Sequence, residues 1–348
     1  MQERIYLDNA SFAKPLQCAT EAHNNAPFGN PSSSHAVGQE AREALEDARR
    51  RIAKCINAEP SCIYFVSTAS EAASWLHHNL RFFNREVDTS PVEHHAVLEN
   101  RFLIKPSVIT GYAYFQMLVN NETGETFSKP DIDGLWDWVC DATSAVGHIP
   151  IDMETLGATY LFADGIKFNS VPGAAFLATV PNASLSPMIS GGGQERGMRA
   201  GTENVPAICA MAAALEWHTE RMQKETVYIT HLRDFFLSRL DDSGIAFTVN
   251  TPLDKCIPHI LNVSFPGCEG TALSLLMSER GVMCSAGAAC SNGLNEPSHV
   301  LMAMFNDEAR ARSALRFSFS HENTHNEIVK AVSILAEEVK NLTALAAH

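Results

Sequence analysis

Hydrophobic residues recur with two different spacings over the first 250 residues of the chain. Residues 39–56 carry charges around a stripe of Ala, Leu and Ile, which is the pattern of an amphipathic helix. Short apolar runs typical of strands alternate with such helical patterns, at residues 62–67, 112–119, 158–163 and 174–180. Strands that alternate with helices predict an α/β fold whose mostly parallel sheet is covered on both faces.

The pattern changes near residue 250, which indicates a second domain. A long helical pattern spans 202–240, whereas strand-like runs at 260–265 and 314–319 surround a single helix and 327–345 forms the last one. A length of 348 residues also suits about two domains. We therefore predict a large domain and a smaller α/β domain that the first dozen residues complete, with bounds 13–250 for the former and 1–12 with 251–348 for the latter.

The composition excludes several classes of protein. Hydrophobic residues make up 45% and charged residues 19%, as in a globular protein with a sizeable core. The net charge of −14 argues against nucleic acid or an anionic membrane as the main partner. No run of about 18 apolar residues could span a membrane, and the first residues lack the features of a signal peptide. Nine cysteines without a CxxC pair fit a reducing cytoplasm and give no metal-site spacing.

Lys167 is the first candidate for chemistry. It lies in FADGIKFNSVPG between Ile166 and Phe168, directly after a strand-like run. Such a lysine either ends a strand with its ammonium group in water, or is a desolvated amine that forms a Schiff base. The local sequence alone does not decide between these two interpretations.

Two further stretches suit an anionic, ring-shaped ligand, although each has a purely structural alternative. Residues 67–70 (STAS) begin a predicted helix. The free backbone N–H groups there either bind an anion or donate to the side chain of an ordinary N-cap residue. Asp141 follows an apolar strand, at the sheet edge where α/β proteins place ligand-binding groups, but an N-cap there is equally compatible. A carboxylate at this point could keep a pyridine nitrogen protonated.

Three other segments carry reactive or anion-binding side chains. His94 and His95 either start a helix or supply an imidazole that stacks on a flat ring and accepts a proton. Residues 190–204 (SGGGQERGMRAGTEN) suit a structured loop that presents N–H groups and guanidinium to an anion. Cys290 lies among Gly, Ala and Ser, where a thiol is either inert or a nucleophile once deprotonated.

Taken in order, the segments resemble the cysteine desulfurase family, the NifS/IscS-like members of the class V aminotransferases. The match runs from Tyr6 to about Ser320 through YLDNA, NPSSSHAVGQEAR, SEAAS, VEHHAVLE, VNNETG, DATSAVGHIPID, GGGQERGMRAGTEN, LNVSF, SAGAACSNG, EPSHVL and LRFSFS. The resemblance implies the pyridoxal-phosphate-dependent fold type I and a homodimer.

The resemblance also assigns roles in binding pyridoxal 5'-phosphate. Lys167 would form the Schiff base, Asp141 would face the pyridine nitrogen, and His94 would stack on the ring and move protons. The remaining cofactor contacts would come from Ala69, Ser70, Asn121, Ser144 and, across the dimer, Thr202.

For the reaction, the resemblance implies conversion of L-cysteine to L-alanine. Asn9 and Asn121 would contact the substrate, and Arg316 would bind its carboxylate through a bidentate pair. Cys290 would take the sulfur as a persulfide and pass it to an acceptor protein for iron–sulfur clusters or thio-cofactors.

The chain departs from the family pattern around the expected phosphate site. Ile166 replaces a histidine, and Asp164 replaces a serine or threonine, so a negative charge would lie near the phosphate. Two like charges about 4 Å apart repel by roughly 1 to 4 kcal/mol. Ser144 stands where glutamine is common, His321 replaces an arginine, and the stretch between His94 and Asn121 is shorter than usual.

These departures leave two kinds of alternative open. One is another class V enzyme, such as a selenocysteine lyase or an aminotransferase. The other is a catalytically degenerate member that acts as a binding or scaffold protein.

Overall fold

The computed structural model describes residues 4–102, 108–132, 136–250, 253–286 and 296–346. The chain forms two compact units. We call Ala13–Val119 with Phe127–Met222 the large unit, and Met1–Phe12, Asn120–Thr126 and Gln223–His348 the small unit. The domain bounds expected from the sequence stay a prediction; the compact units place residues 223–250 with the first dozen residues.

A six-stranded sheet forms the centre of the large unit. Its strands, in chain order, are β2 (Ile63–Val66), β3 (Arg85–Thr89), β4 (Gly111–Phe115), β5 (Trp136–Asp141), β6 (Tyr160–Asp164) and β7 (Ala175–Thr179), numbered after β1 (Ile5–Tyr6) of the small unit. The spatial order is β2-β7-β6-β5-β4-β3. Strands β3 to β6 pair in parallel, whereas β7 runs antiparallel to both β6 and β2. The predicted α/β class with a mostly parallel sheet is confirmed.

Helices cover the large-unit sheet because their apolar stripes meet strands that are buried. All five residues of β6 and of β7 are buried, as expected for strands covered on both faces. The helices of this unit are α1 (Gln17–Asn24), α2 (Ala36–Cys55), α3 (Ala69–Phe82), α4 (His95–Leu98), α5 (Met153–Leu156) and the first part of α6 (Val205–Ser243). Thr68 caps α3, since its Oγ1 accepts the N–H of Glu71 at 3.2 Å.

The small unit has its own sheet and core. Strands β8 (Thr248–Val249), β9 (Ile260–Ser264), β11 (Ser285–Ala286) and β12 (Ala314–Ser318) form an antiparallel sheet, and β1 pairs with β10 (Val282–Met283). Its other helices are α7 (Gly270–Glu279), α8 (His299–Phe305), α9 (Glu308–Arg312) and α10 (His325–Ala346). Apolar residues of α6, α7, α10, β9 and β12 build its core, to which Ile5 and Leu7 belong. The N-terminal residues therefore pack in this unit.

No helix within the described ranges combines the length and apolar content that a membrane span requires.

Candidate functional site

Several strands of the large-unit sheet end at the same edge. Strands β3, β5 and β6 are parallel, and β2 points the same way because β7 is antiparallel to both β2 and β6. The carboxyl ends of parallel strands are where α/β sheets bind ligands. Most predicted cofactor residues follow these ends: Ala69 and Ser70 after β2, His94 after β3, Asp141 and Ser144 at and after β5, and Lys167 after β6.

Lys167 lies in a single 3₁₀ turn, Gly165–Phe168, directly after β6. Its side chain is half-buried, and its carbonyl oxygen lies 3.1 Å from Nε2 of His148. The turn is packed closely against Gly147, whose φ of 83° favours glycine and where a Cβ would lie 2.7 Å from Cβ of Phe168. The motif around Gly147 therefore holds the lysine turn in place.

Asp141 ends β5 as a buried carboxyl group. Its Oδ1 accepts the N–H of Thr143 at 2.8 Å. Burial raises the pKa of Asp141 and the nearby charge of Asp164 adds to this, while Lys167 and the bonds from Thr143 partly offset it. A buried acceptor near a lysine could bind the protonated nitrogen of an aromatic ring.

Glu93, which no sequence motif singles out, is fully buried beside this edge. It accepts the backbone N–H of Met117, which follows β4. Burial and the charge of Asp141 raise the pKa of Glu93 well above its ordinary value. The one signal in the sequence is its place directly before the histidine pair.

His94 caps the short helix α4. Its Nδ1 accepts the N–H of Ala96 at 3.0 Å, so the neutral ring carries its proton on Nε2. The side chain is half-buried, which suits an imidazole that contacts a ligand and moves protons.

Asp164 links the lysine turn to the start of α3. Its Oδ2 accepts the N–H of Ala69 at 3.0 Å and its Oδ1 accepts the N–H of Ile166 at 3.2 Å. Burial raises the pKa of Asp164, and these two N–H groups together with Lys167 partly offset the effect. The side chain of Ser70 is exposed at the same helix end.

The charged residues of the glycine-rich loop hold the loop to helix α2 and to strand β2. Glu195 forms a buried bidentate pair with Arg49, at 2.7 and 2.9 Å, and accepts the N–H of Phe65 on β2. Arg196 donates to the carbonyl oxygen of Ile63.

Arg199 of the same loop also forms an ion pair within the protein. It pairs with Glu71 of α3 at 2.7 and 3.0 Å. The sequence predicts that this loop presents guanidinium groups to an anion, whereas the structure uses both arginines to hold the loop. Thr202 is exposed at its end.

The predicted substrate residues lie in the small unit. Arg316 on β12 is buried and donates to Asp8 Oδ1 at 2.9 Å and to the carbonyl oxygen of Asn121 at 2.8 Å. Within the part of the chain that the structure describes, Arg316 Nε and Asn121 Oδ1 are buried without a hydrogen-bond partner. Asn9 donates to the carbonyl oxygen of Ser318 at 2.9 Å, so its amide nitrogen holds the N-terminal segment to β12. Arg316 Nε and Asn121 Oδ1 could therefore form hydrogen bonds to a ligand.

Cys290 lies outside the described residues. The cysteines that the structure describes are free thiols. Burial raises the pKa of Cys284 to about 12 and that of Cys140 well above its ordinary value. These two thiols are therefore protonated at neutral pH and poor nucleophiles.

Comparison with known proteins gives consistent matches. The family described as "Aminotransferase class-V" matches residues 5–104 and 113–330. The chain is 34% identical over 378 residues to "Putative cysteine desulfurase IscS 1" of Bacillus subtilis, covering 98% of this chain and 100% of the relative. It is 31% identical to "Cysteine desulfurase IscS" of Dictyoglomus turgidum, covering 100% and 98%. A solved structure titled "NIFS-LIKE PROTEIN" superposes with a TM-score of 0.87 at 28% identity, covering 97% of this chain and 100% of that chain.

Proposed function

Because the chain belongs to the class V aminotransferases, and within them to the cysteine desulfurase family, we propose that it converts L-cysteine to L-alanine and holds the sulfur as a persulfide on Cys290. The strongest support is that Lys167, Asp141 and His94 follow strands that end at the same edge of the sheet. The chain also matches this family over nearly its whole length.

The residues at the sheet edge fit the ring end of pyridoxal 5'-phosphate. Lys167 is half-buried at a fixed turn, Asp141 is a buried acceptor at the adjacent strand end, and His94 has a half-buried ring. Ala69, Ser70 and Ser144 lie at the same edge, and the exposed Thr202 supports a contact across a dimer. Bound there, the cofactor supplies the electron sink that weakens bonds at the substrate's Cα and Cβ.

The chain's own residues would divide the remaining tasks. Arg316 would bind the carboxylate of L-cysteine, and Asn9 and Asn121 would border it. Asp141 would hold the ring nitrogen protonated, and Lys167 would bind the cofactor and transfer protons at Cα. His94 would hold or accept a proton at Nε2, since its Nδ1 is occupied by the N–H of Ala96.

Sulfur transfer needs no external oxidant. The thiolate of Cys290 would attack the substrate's sulfur, so that an S–S bond forms and the Cβ–S bond breaks with its electron pair left on carbon. A proton on that carbon gives the methyl group of L-alanine, and a persulfide remains on the enzyme. Thiol plus L-cysteine therefore balances persulfide plus L-alanine.

We also propose a homodimer in a reducing cytoplasm that passes sulfur to an acceptor protein. The free cysteines of the described residues and the exposed Thr202 support this view. The names of the relatives favour neither a selenocysteine lyase, nor another class V activity, nor a scaffold protein.

The test is alanine and sulfide release from L-cysteine by the purified chain with added pyridoxal phosphate and a thiol reductant. We expect equal molar amounts of both products from the wild type and from Cys284→Ala, since the raised pKa of Cys284 keeps its thiol protonated. Cys290→Ala should lose at least about 90% of the activity, because the persulfide site is gone. Full activity in Cys290→Ala, or no alanine from the wild type, would contradict the proposal.

A further inference from the structure

We propose that Asp164 occupies part of the cofactor's phosphate site and reduces the preference of this protein for pyridoxal phosphate over unphosphorylated pyridoxal. This inference rests on the proposed function, because it assumes that the start of α3 faces the cofactor's phosphate. It concerns binding and not the chemistry at Lys167.

The geometry shows that N–H groups at the start of α3 are already in use. The first N–H groups of a helix have no partner inside the helix and are the donors that hold a phosphate. Here the N–H of Ala69 donates to Asp164 Oδ2 at 3.0 Å, and the N–H of Glu71 donates to Thr68 Oγ1 at 3.2 Å. A phosphate at this end would have to displace the carboxylate from Ala69 or bind without that donor.

The negative charge of Asp164 disfavours a phosphate here, as does its hydrogen bond to the N–H of Ala69. Asp164 is buried, and its charge raises the pKa of Asp141, so the two carboxyl groups are close enough to repel each other. Lys167 is the basic group that offsets both. A phosphate would add further negative charge here, and the neighbouring Ile166 has no side-chain donor to compensate.

In such a site the phosphate group adds less to the affinity for the cofactor than it would in a site with free N–H donors. Asp164 opposes the phosphate group, which pyridoxal lacks, so pyridoxal should bind almost as well as the phosphorylated form. Removal of the Asp164 charge should restore the preference for the phosphorylated form.

Two substitutions separate charge from occupancy. Asp164→Asn removes the charge but keeps an oxygen that can accept the N–H of Ala69. Asp164→Ser removes the charge and is shorter, so it also frees that N–H for a phosphate oxygen. Circular dichroism and the melting temperature check that each variant folds, and the near-isosteric Asn variant serves if the Ser variant does not.

The experiment titrates cofactor-free full-length protein with pyridoxal phosphate and, separately, with pyridoxal, using the absorbance of the bound form. The ratio of the two dissociation constants should lie near one for the wild type. It should shift in favour of pyridoxal phosphate by about tenfold in Asp164→Asn, roughly 1.4 kcal/mol, and further in Asp164→Ser. Pyridoxal itself should bind all three proteins within about twofold, since it lacks the charged group.

The outcomes distinguish this inference from the proposed function. Binding of both compounds with the same ratio in all three proteins would overturn the role of Asp164 and leave the function standing. A strong preference of the wild type for the phosphorylated form would do the same. Failure of every protein to bind either compound would overturn both.

Discussion

Two buried carboxyl groups, Asp141 and Asp164, interact with Lys167 at the edge of the large-unit sheet, and Glu93 lies close to Asp141. Burial raises the pKa of Glu93, Asp141 and Asp164, and a neighbouring carboxylate adds to the shift for Glu93 and Asp141. Lys167 offsets this for the two aspartates. The local field therefore favours positive groups of a ligand over negative ones.

The pH dependence of stability should reveal Glu93. Its pKa is higher in the folded than in the unfolded chain, so stability falls as pH rises above the ordinary carboxyl range towards the folded-state pKa. Gln does not titrate and can still accept the N–H of Met117. In urea unfolding of the cofactor-free protein, Glu93→Gln should be more stable than the wild type at pH 8, and the advantage should shrink towards pH 4.

Glu71 provides the control with the opposite sign. Burial acts to raise its pKa, but hydrogen bonds from Arg199 and Ser67 outweigh burial and hold the pKa below its usual value. Glu71→Gln should therefore destabilise the protein at neutral pH, with the loss fading in acid. A Glu93→Gln effect that does not change with pH would contradict the assignment.

Arg316 should be recognised by its effect on substrate binding. Charge-assisted hydrogen bonds contribute about 1.5–3 kcal/mol each, so Arg316→Lys should raise KM for L-cysteine roughly 10- to 100-fold with a smaller change in kcat. Cysteamine, which lacks the carboxylate, is the matched control substrate and should be turned over equally by both proteins. A loss of the same size for cysteamine would mean that Arg316 acts only on structure.

The glycine-rich loop shows how an element is fixed by contacts that are distant in sequence. Glu195 and Arg196 adopt left-handed backbone conformations, with φ of 47° and 58°. Such conformations are unfavourable for these residues and persist only where surrounding contacts hold them. The pair between Glu195 and Arg49 and the bond from Arg196 to Ile63 supply those contacts.

Removal of one partner of this buried pair should be costly. Arg49→Met should lower the free energy of unfolding by about 3–5 kcal/mol, because it leaves the Glu195 carboxylate buried without its partner. Arg50→Met is the control, since Arg50 pairs with Asp47 at the surface and should change stability by less than about 1 kcal/mol. Urea unfolding of both variants measures the difference, and equal effects would contradict the role of the pair.

For the molecule as a whole, apolar periodicity was sufficient to predict the fold class. The strands β2, β6, β7, β9 and β12 are short apolar runs, and each lies where the sequence places it within about two residues. Apolar periodicity does not predict strand β3 (REVDT), because it is an edge strand with mostly polar residues and no apolar alternation.

For the candidate site, the sequence indicates which residues to consider but not the contacts that they make. Motif order identified Lys167, Asp141 and His94, whereas no local pattern signals that Asp164 accepts an N–H from Ala69, 95 residues away. Full burial of Glu93 likewise depends on how β4 and the following turn pack. These features arise from tertiary packing, which a single sequence does not encode in any local period.

Chemical fixation of the cofactor on the chain shows directly whether Lys167 is the residue that binds it. The protein is incubated with pyridoxal phosphate, the lysine–cofactor linkage is fixed with borohydride, and the modified peptide is identified by mass spectrometry. We expect the modification on the peptide that contains Lys167, and its loss in Lys167→Ala. Modification of another lysine, or none with excess pyridoxal phosphate, would contradict the account.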